Sequence, residues 1–194
     1  MSLTIKMGTG YHIWDACDDG DRIILNYVCI SQDDGKAYAV AANGFILAGI
    51  TVDVEDDRAE KDDVLIPGWW LKEVARAVKK ANLSQIILSV EDGEEGNELV
   101  WCQIPGGERR MVQAGTGKFP DWRTLRANGP EKAVPHLAFN TDLLMRLGRI
   151  LGVAKGDGLR LRLHGEKAPI DVALVTDPQV WGVLMPMFVR WDED

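Results

Sequence analysis

Twice along this chain one amphipathic helix is followed by three period-two apolar segments, and few architectures satisfy that order. After VLIP (64–67), the run GWWLKEVARAVKKAN places Leu71, Val74, Ala75 and Val78 at i, i+3, i+4 and i+7 on one helical face, with Pro67 suited to the helix start. The strand-like IILSV (86–90), ELVWCQI (98–104) and RRMVQA (109–114) follow, separated by Gly-rich or Glu-rich turns. The pattern then recurs. HLAF (136–139) reads as a short strand, and Asn140 as the N-cap of TDLLMRLGRILG, whose Leu143, Leu144, Leu147, Ile150 and Leu151 share a face. GLRLRLH (158–164) alternates strictly, with Leu159, Leu161 and Leu163 inward and Arg160, Arg162 and His164 outward, before PIDVALV (169–175) and VWGVLMPMFV (180–189).

The amino-terminal third reads as a degenerate third copy. TIKM is a strand, YHIWDACDDGD holds a short acidic helix, and RIILNYVCIS (22–31), KAYAVAA (36–42) and FILAGITV (45–52) are antiparallel strands bounded by Asp-Gly or Asn-Gly turns. Three βαβββ units of about 65 residues account for 194 residues, which predicts an α+β fold of antiparallel sheets with helices on one face. The net charge of −8 is uneven: residues 1–63 hold 13 acids and 5 bases, the remainder 17 of each. DVEDDRAEKDD (53–63) is expected to be a solvated loop. Nucleic-acid contact therefore requires a localised basic face.

Familiar catalytic templates are missing. Cys17, Cys29 and Cys102 form no CxxC pair and read as buried free thiols, while His12, His136 and His164 offer no metal-ligand spacing. GTGYHIW (8–14) and GTGK (115–118) complete no phosphate loop, and no nucleophile elbow is present. The reading is a non-enzymatic chain with no cofactor and no metal. With neither a long apolar span nor an export signal, it is expected to be cytoplasmic and without a membrane partner. Among seven tryptophans, Trp101 and Trp181 read as core, and Trp69, Trp70 and Trp191 as interface candidates.

Four segments resemble the bacterial DNA polymerase III beta sliding clamp. YAVAANGFILA (38–48) is similar to a strand-turn-strand of the clamp's middle domain, and VLIPGWWLKEVARAV (64–78) to the strand and helix after it. GKFPDWRTLRA (117–127) resembles the loop leading out of that domain, and VWGVLMPMFV the carboxyl-terminal strand with its Met-Pro-Met. The resemblance implies a DNA-clamp fold with a complete two-unit domain over 1–127 and a single unit over 128–194. A lone unit implies self-association, with third units of two chains combining and four chains restoring a twelve-unit ring.

The same resemblance assigns functional surfaces. Double-stranded DNA would be held nonspecifically through helix residues Lys72, Arg76, Lys79 and Lys80, and Arg146 and Arg149, which taken alone fit a solvated face equally well. The acids Asp15, Asp18, Asp19 and Asp21 of the first unit would repel a duplex. DNA polymerase and other clamp-binding proteins would dock short peptides in an apolar cleft. Its positions are Gly44, Phe45, Ile46 and Leu47 after the turn, Pro120, Thr124 and Leu125 around FPDW, and Val183, Leu184, Met185, Pro186 and Met187 near the end. Two departures stand out: Phe45 and Ile46 replace the family's polar and basic pair, and FVRWDED continues past the Met-Pro-Met strand. A different class of function remains open, a clamp-fold regulator that binds clamp partners without encircling DNA.

Overall fold

The computed structural model describes residues 2–18, 20–33, 35–56, 63–93, 97–126 and 130–189. The strands are β1 Ser2–Gly8, β2 Tyr27–Asp33, β3 Lys36–Ala42, β4 Ile46–Asp56, β5 Val64–Pro67, β6 Gln85–Asp92, β7 Glu98–Gln103, β8 Arg109–Gln113, β9 Leu159–Arg162, β10 Ile170–Leu174 and β11 Val180–Leu184. The helices are α1 Gly68–Lys80, α2 Trp122–Leu125 and α3 Thr141–Ile150, with 3-10 turns at Ile13–Ala16 and Ile23–Asn26. One antiparallel run is β5-β2-β3-β4-β11-β10-β9 and the other is β4-β1-β6-β7-β8. β4 serves both. Its first half pairs with β3 and β11, and Asp53 to Asp56 pair with β1.

A rule of exchange joins the units. Each unit's first strand crosses to the other's sheet: β1 lies against β6, and β5 against β2. On its opposite side each first strand meets the far end of its own unit's fourth strand, Lys6 facing Asp53 and the Gly115 N–H donating to the Leu65 carbonyl at 2.7 Å. Neither of the first two units completes a sheet alone.

The main core lies between the sheets and the helices, with Leu3, Ile5, Ile50, Ile66, Leu71, Ile86 and Leu88 fully buried. Each such side chain contributes about 1.5–3 kcal/mol relative to exposure. In α1 the predicted stripe Leu71, Val74, Ala75 and Val78 is the buried one. Asn140 caps α3 as expected, its Oδ1 accepting from the Asp142 N–H at 2.9 Å. Asn140→Ala should lower stability by about 1 kcal/mol, read as a shift in the thermal midpoint. Gly182 lets α3 approach β11, since a Cβ there would lie 2.7 Å from Leu147 Cδ1.

Several elements differ from the sequence reading. HLAF (136–139) forms no strand; its one ladder-like bond is Met187 N–H to the Ala138 carbonyl at 2.8 Å. Among the described residues no further sheet receives it, and Pro135 supplies no donor. Ile23–Asn26, expected within a strand, is a 3-10 turn, because Arg22 is tied to the Asp18 carboxylate at 3.0 Å and to the Asn43 carbonyl. Residues 53–56, expected in a loop, extend β4, where Lys6 pairs with Glu55 across the ladder; 57–62 lie outside the described residues. His164 is not outward: its side chain is nearly covered and lies 3.3 Å from the Asp171 carboxylate. Leu161, expected inward, is exposed on the outermost strand. Residues 185–189, expected to continue that strand, are irregular.

The third unit is also less isolated than expected. The edge of β11 is not bare but pairs with β4 of the same chain, from Val180 opposite Ile50 to Leu184 opposite Ile46. Further ties run from the first unit: His12 N–H donates to the Ile150 carbonyl at 3.0 Å, and Tyr11 Oη to Asp177 Oδ2 at 2.6 Å. The bond to Asp177, with burial and the carboxylate's charge, pushes the Tyr11 phenol up to about 12. The folded state then holds a proton that the unfolded chain releases near pH 10, so this contribution is full below pH 10 and fades between about pH 10 and 12. Alkaline unfolding followed by circular dichroism should show that loss, and Tyr11→Phe should remove that part of the pH dependence.

Candidate functional site

The period of α1 puts Lys72, Arg76, Lys79 and Lys80 opposite its buried stripe, and α3 presents Arg146 and Arg149. The 3-10 turn Ile13–Ala16 lies between the two helices, which brings both basic sets together around Asp15. Lys72 Nζ meets Asp15 Oδ1 at 2.7 Å. Arg146 reaches past the carboxylate to the backbone, Nε donating to the Asp15 carbonyl at 2.7 Å and Nη2 to that of Cys17 at 3.3 Å. Lys79 Nζ sits 3.1 Å from His12 Nε2, and His12 Nδ1 lies 3.6 Å from Asp15 Oδ2. A hollow of about 300 Å³ opens between Asp15, Lys72, Arg146 and Arg149. Arg76, Lys80 and Arg149 are exposed and make no ion pair among the described residues.

Half of the strip is thus turned onto the protein's own turn. Of the acids expected to repel a duplex, Asp15 offsets Lys72, Asp18 is held by Arg22, and Asp19 lies outside the described residues. The bonds from α3 to the turn could not be inferred from helical periodicity, since they link residues 131 and 129 positions apart.

The predicted cleft residues divide between two faces, because alternate residues of a strand point opposite ways. Leu47 and Val183, paired across the β4–β11 seam, are buried on the outer face with Phe119 and Trp122. Ile46 and Leu184, the next pair, belong to the main core on the other face and do not line the cleft. Around the seam's end Phe45, Met185 and Met187 are 57, 40 and 51% exposed, with the Met185 N–H donating to the Phe45 carbonyl at 2.9 Å. Gly44 holds a φ of +87° in the turn, where a Cβ would strike the Arg22 guanidinium. The Asn43 side chain accepts from the Phe45 and Ile46 N–H groups at 3.0 Å each. Pro186 is half-buried and Leu125 is 43% exposed. Pro120 precedes α2 and Thr124 lies within it, both on the surface, Thr124 Oγ1 donating to the Asp121 carbonyl at 2.7 Å.

Sequence reasoning missed the centre of this outer face. Trp122 stacks on Trp181 with ring centroids 5.3 Å apart, and Tyr38 meets both edge-on. Gly49, opposite Trp181, makes room for the indole, since a Cβ there would fall 2.2 Å from Trp181 Cζ2. Arg123 covers Trp122 and Arg126 covers Trp181, at 4.6 and 4.3 Å from the ring centroids. The signal was FPDW itself, whose Phe119 and Trp122 pin the connector to the seam. Trp70, read as an interface candidate, is buried; Trp69 is exposed; Trp101, read as core, is half-buried beneath Arg109; Trp191 lies outside the described residues.

All three cysteines are free and buried. Desolvation pushes the Cys17 thiol up to about 12 and raises those of Cys29 and Cys102, which leaves them weak nucleophiles. Among the described residues no group of three His, Cys, Asp or Glu is placed to hold a metal, and no helix is long and apolar enough to cross a membrane.

Two sheets joined by strand exchange, with α1 and α3 gathered on one side, define the DNA sliding-clamp fold. Solved structures this chain is similar to include bacterial clamps. With the DNA polymerase sliding clamp of Pseudomonas aeruginosa it shares a TM-score of 0.72 at 16% identity, covering 96% of this chain and 67% of that one. A Pseudomonas aeruginosa DnaN sliding clamp bound to griselimycin gives 0.70 at 14%, covering 96% and 65%. The DNA polymerase III beta subunit of Thermotoga maritima gives 0.67 at 12%, covering 97% and 66%. The chain spans about two thirds of the length of these clamps. No protein-family model and no curated protein matches the sequence.

Proposed function

We propose that this chain is a non-enzymatic, clamp-type DNA replication factor. It associates with copies of itself, contacts duplex backbone through α1 and α3, and takes short partner peptides in the apolar cleft at the β4–β11 seam. The 1–127 domain supplies most of both surfaces, and the 128–194 unit completes them. The observation that carries this reading is the convergence of two basic helices on one face of a sliding-clamp fold. Guanidinium and ammonium groups on helices bind phosphate oxygens without reading bases. For the cleft, support comes from exposed Phe45, Met185 and Met187 beside a buried aromatic floor, and from the Pseudomonas clamp that is described bound to griselimycin.

Fluorescence anisotropy on duplex DNA tests the first part. Affinity should fall linearly on a log–log salt plot, and the triple Arg76→Ala, Lys80→Ala, Arg149→Ala variant should flatten the slope by about 3, one per lost phosphate contact. Binding that ignores salt overturns the reading. For the cleft, Met185→Glu should weaken a Leu/Phe-containing peptide about ten-fold while DNA affinity holds.

A second reading is favoured by the Asp15 contacts: a regulator that keeps the cleft but does not encircle DNA. Retention on circular but not linear DNA supports the clamp; equal loss from both supports the regulator.

A further inference from the structure

We infer that the chain dimerises by reciprocal strand addition, residues 136–139 of each copy joining the open edge of β9 in the other; this deepens the self-association in the proposed function and rests on it. The exchange rule seen twice in this chain has a third, unfilled instance. A unit's first strand is flanked by its own fourth strand on one side and by the sister unit's second strand on the other. For β1 the flanking partners are β4 and β6, and for β5 they are Gly115, just past β8, and β2. For residues 136–139 the first partner is present, Met187 N–H donating to the Ala138 carbonyl, but among the described residues no strand occupies the second place.

The acceptor is also present. β9 is the third unit's second strand, equivalent to β2 and β6, and among the described residues it pairs with β10 alone. Near it, the chain's own connector bonds the strand's end, Lys132 N–H to the Leu163 carbonyl at 2.8 Å, and forms the exposed Arg162–Glu131 pair at 3.4 Å. Donor and acceptor match between copies, since in both precedents the two strands come from different units. A two-fold axis satisfies both at once and yields a complete third domain. The spare edge is otherwise a liability, since unpaired backbone groups invite an added strand. Leu137 and Phe139 already pack toward the core, so the segment enters with its apolar side oriented.

The register follows from the precedent. Pro67 and Asn140 occupy equivalent caps, and Leu65 lies opposite Cys29, the third residue of β2. The matching pair is Ala138 against Leu161. Mixing full-length Ala138→Cys with full-length Leu161→Cys under mild oxidation should give a covalent dimer that neither gives alone. Light scattering of the unaltered chain should give twice the chain mass. Of the adjacent N–H groups at Arg160 and Leu161 one faces β10 and one faces the open edge, so one of Arg160→Pro and Leu161→Pro keeps the thermal midpoint. That variant should be monomeric.

A monomeric unaltered protein, or a dimer that survives the fold-neutral proline and gives no mixed crosslink, overturns this junction. Salt-dependent DNA binding by such a protein leaves the clamp reading standing. A dimer crosslinked as described that ignores DNA confirms the junction and sinks the DNA-binding part of the reading instead.

Discussion

Replacing Asp15 with asparagine is expected to tighten duplex DNA binding on the order of ten-fold at low salt. The exchange removes one negative charge from the middle of the basic face and releases Lys72, now held at 2.7 Å, to reach a phosphate. Stability should change little, because a half-exposed ion pair is worth about 0–1 kcal/mol and Arg146 bonds the Asp15 carbonyl, which the substitution retains. Tighter binding at an unchanged melting temperature would identify Asp15 as a brake on the helix face. An affinity that does not rise, measured by anisotropy against the unaltered chain, would mean the duplex never approaches this turn. The salt slope offers a second check, since one freed lysine should steepen it by about 1.

Trp122→Ala is expected to cost about 3–5 kcal/mol, the range for deleting a buried large aromatic. Its ring closes the outer cluster, stacks on Trp181 and anchors the connector that leads to the third unit. The consequence should extend beyond stability: with the floor of the seam gone, a Leu/Phe peptide should lose most of its affinity even at temperatures where the variant is folded. Trp122→Phe separates the contributions. The Trp122 indole N–H is buried with no hydrogen-bond partner among the described residues, so phenylalanine forfeits area but no hydrogen bond seen there. It should retain more than half of the lost stability, measured by denaturant titration; an equal loss from both substitutions would argue against a packing role.

The sequence carried the helices more faithfully than the strands. Apolar spacing located α1 and α3 almost to the residue, because a helix face is recorded in residues three and four apart. Strand identity depends on a neighbour far along the chain. HLAF has the composition of a strand but no receiving sheet among the described residues, whereas the acidic residues 53–56, composed like a loop, are strand because β1 lies beside them. The basic positions were legible as a set, but not that Lys72 and Arg146 are bound to the turn around Asp15, contacts that cross 57 and 131 positions. Likewise the Met-Pro-Met and FPDW segments pointed to one seam, while alternation along β4 and β11 sent Ile46 and Leu184 to the opposite face.

The double membership of β4 has a consequence for taking the molecule apart. A cut after residue 127 would not release two autonomous pieces. The larger would carry an open strand edge from Ile46 to Ile50 and a less covered Leu47, and the smaller, among the described residues, three short strands under one helix. Heating the intact chain should therefore give a single sigmoidal transition, with every part of the molecule melting together.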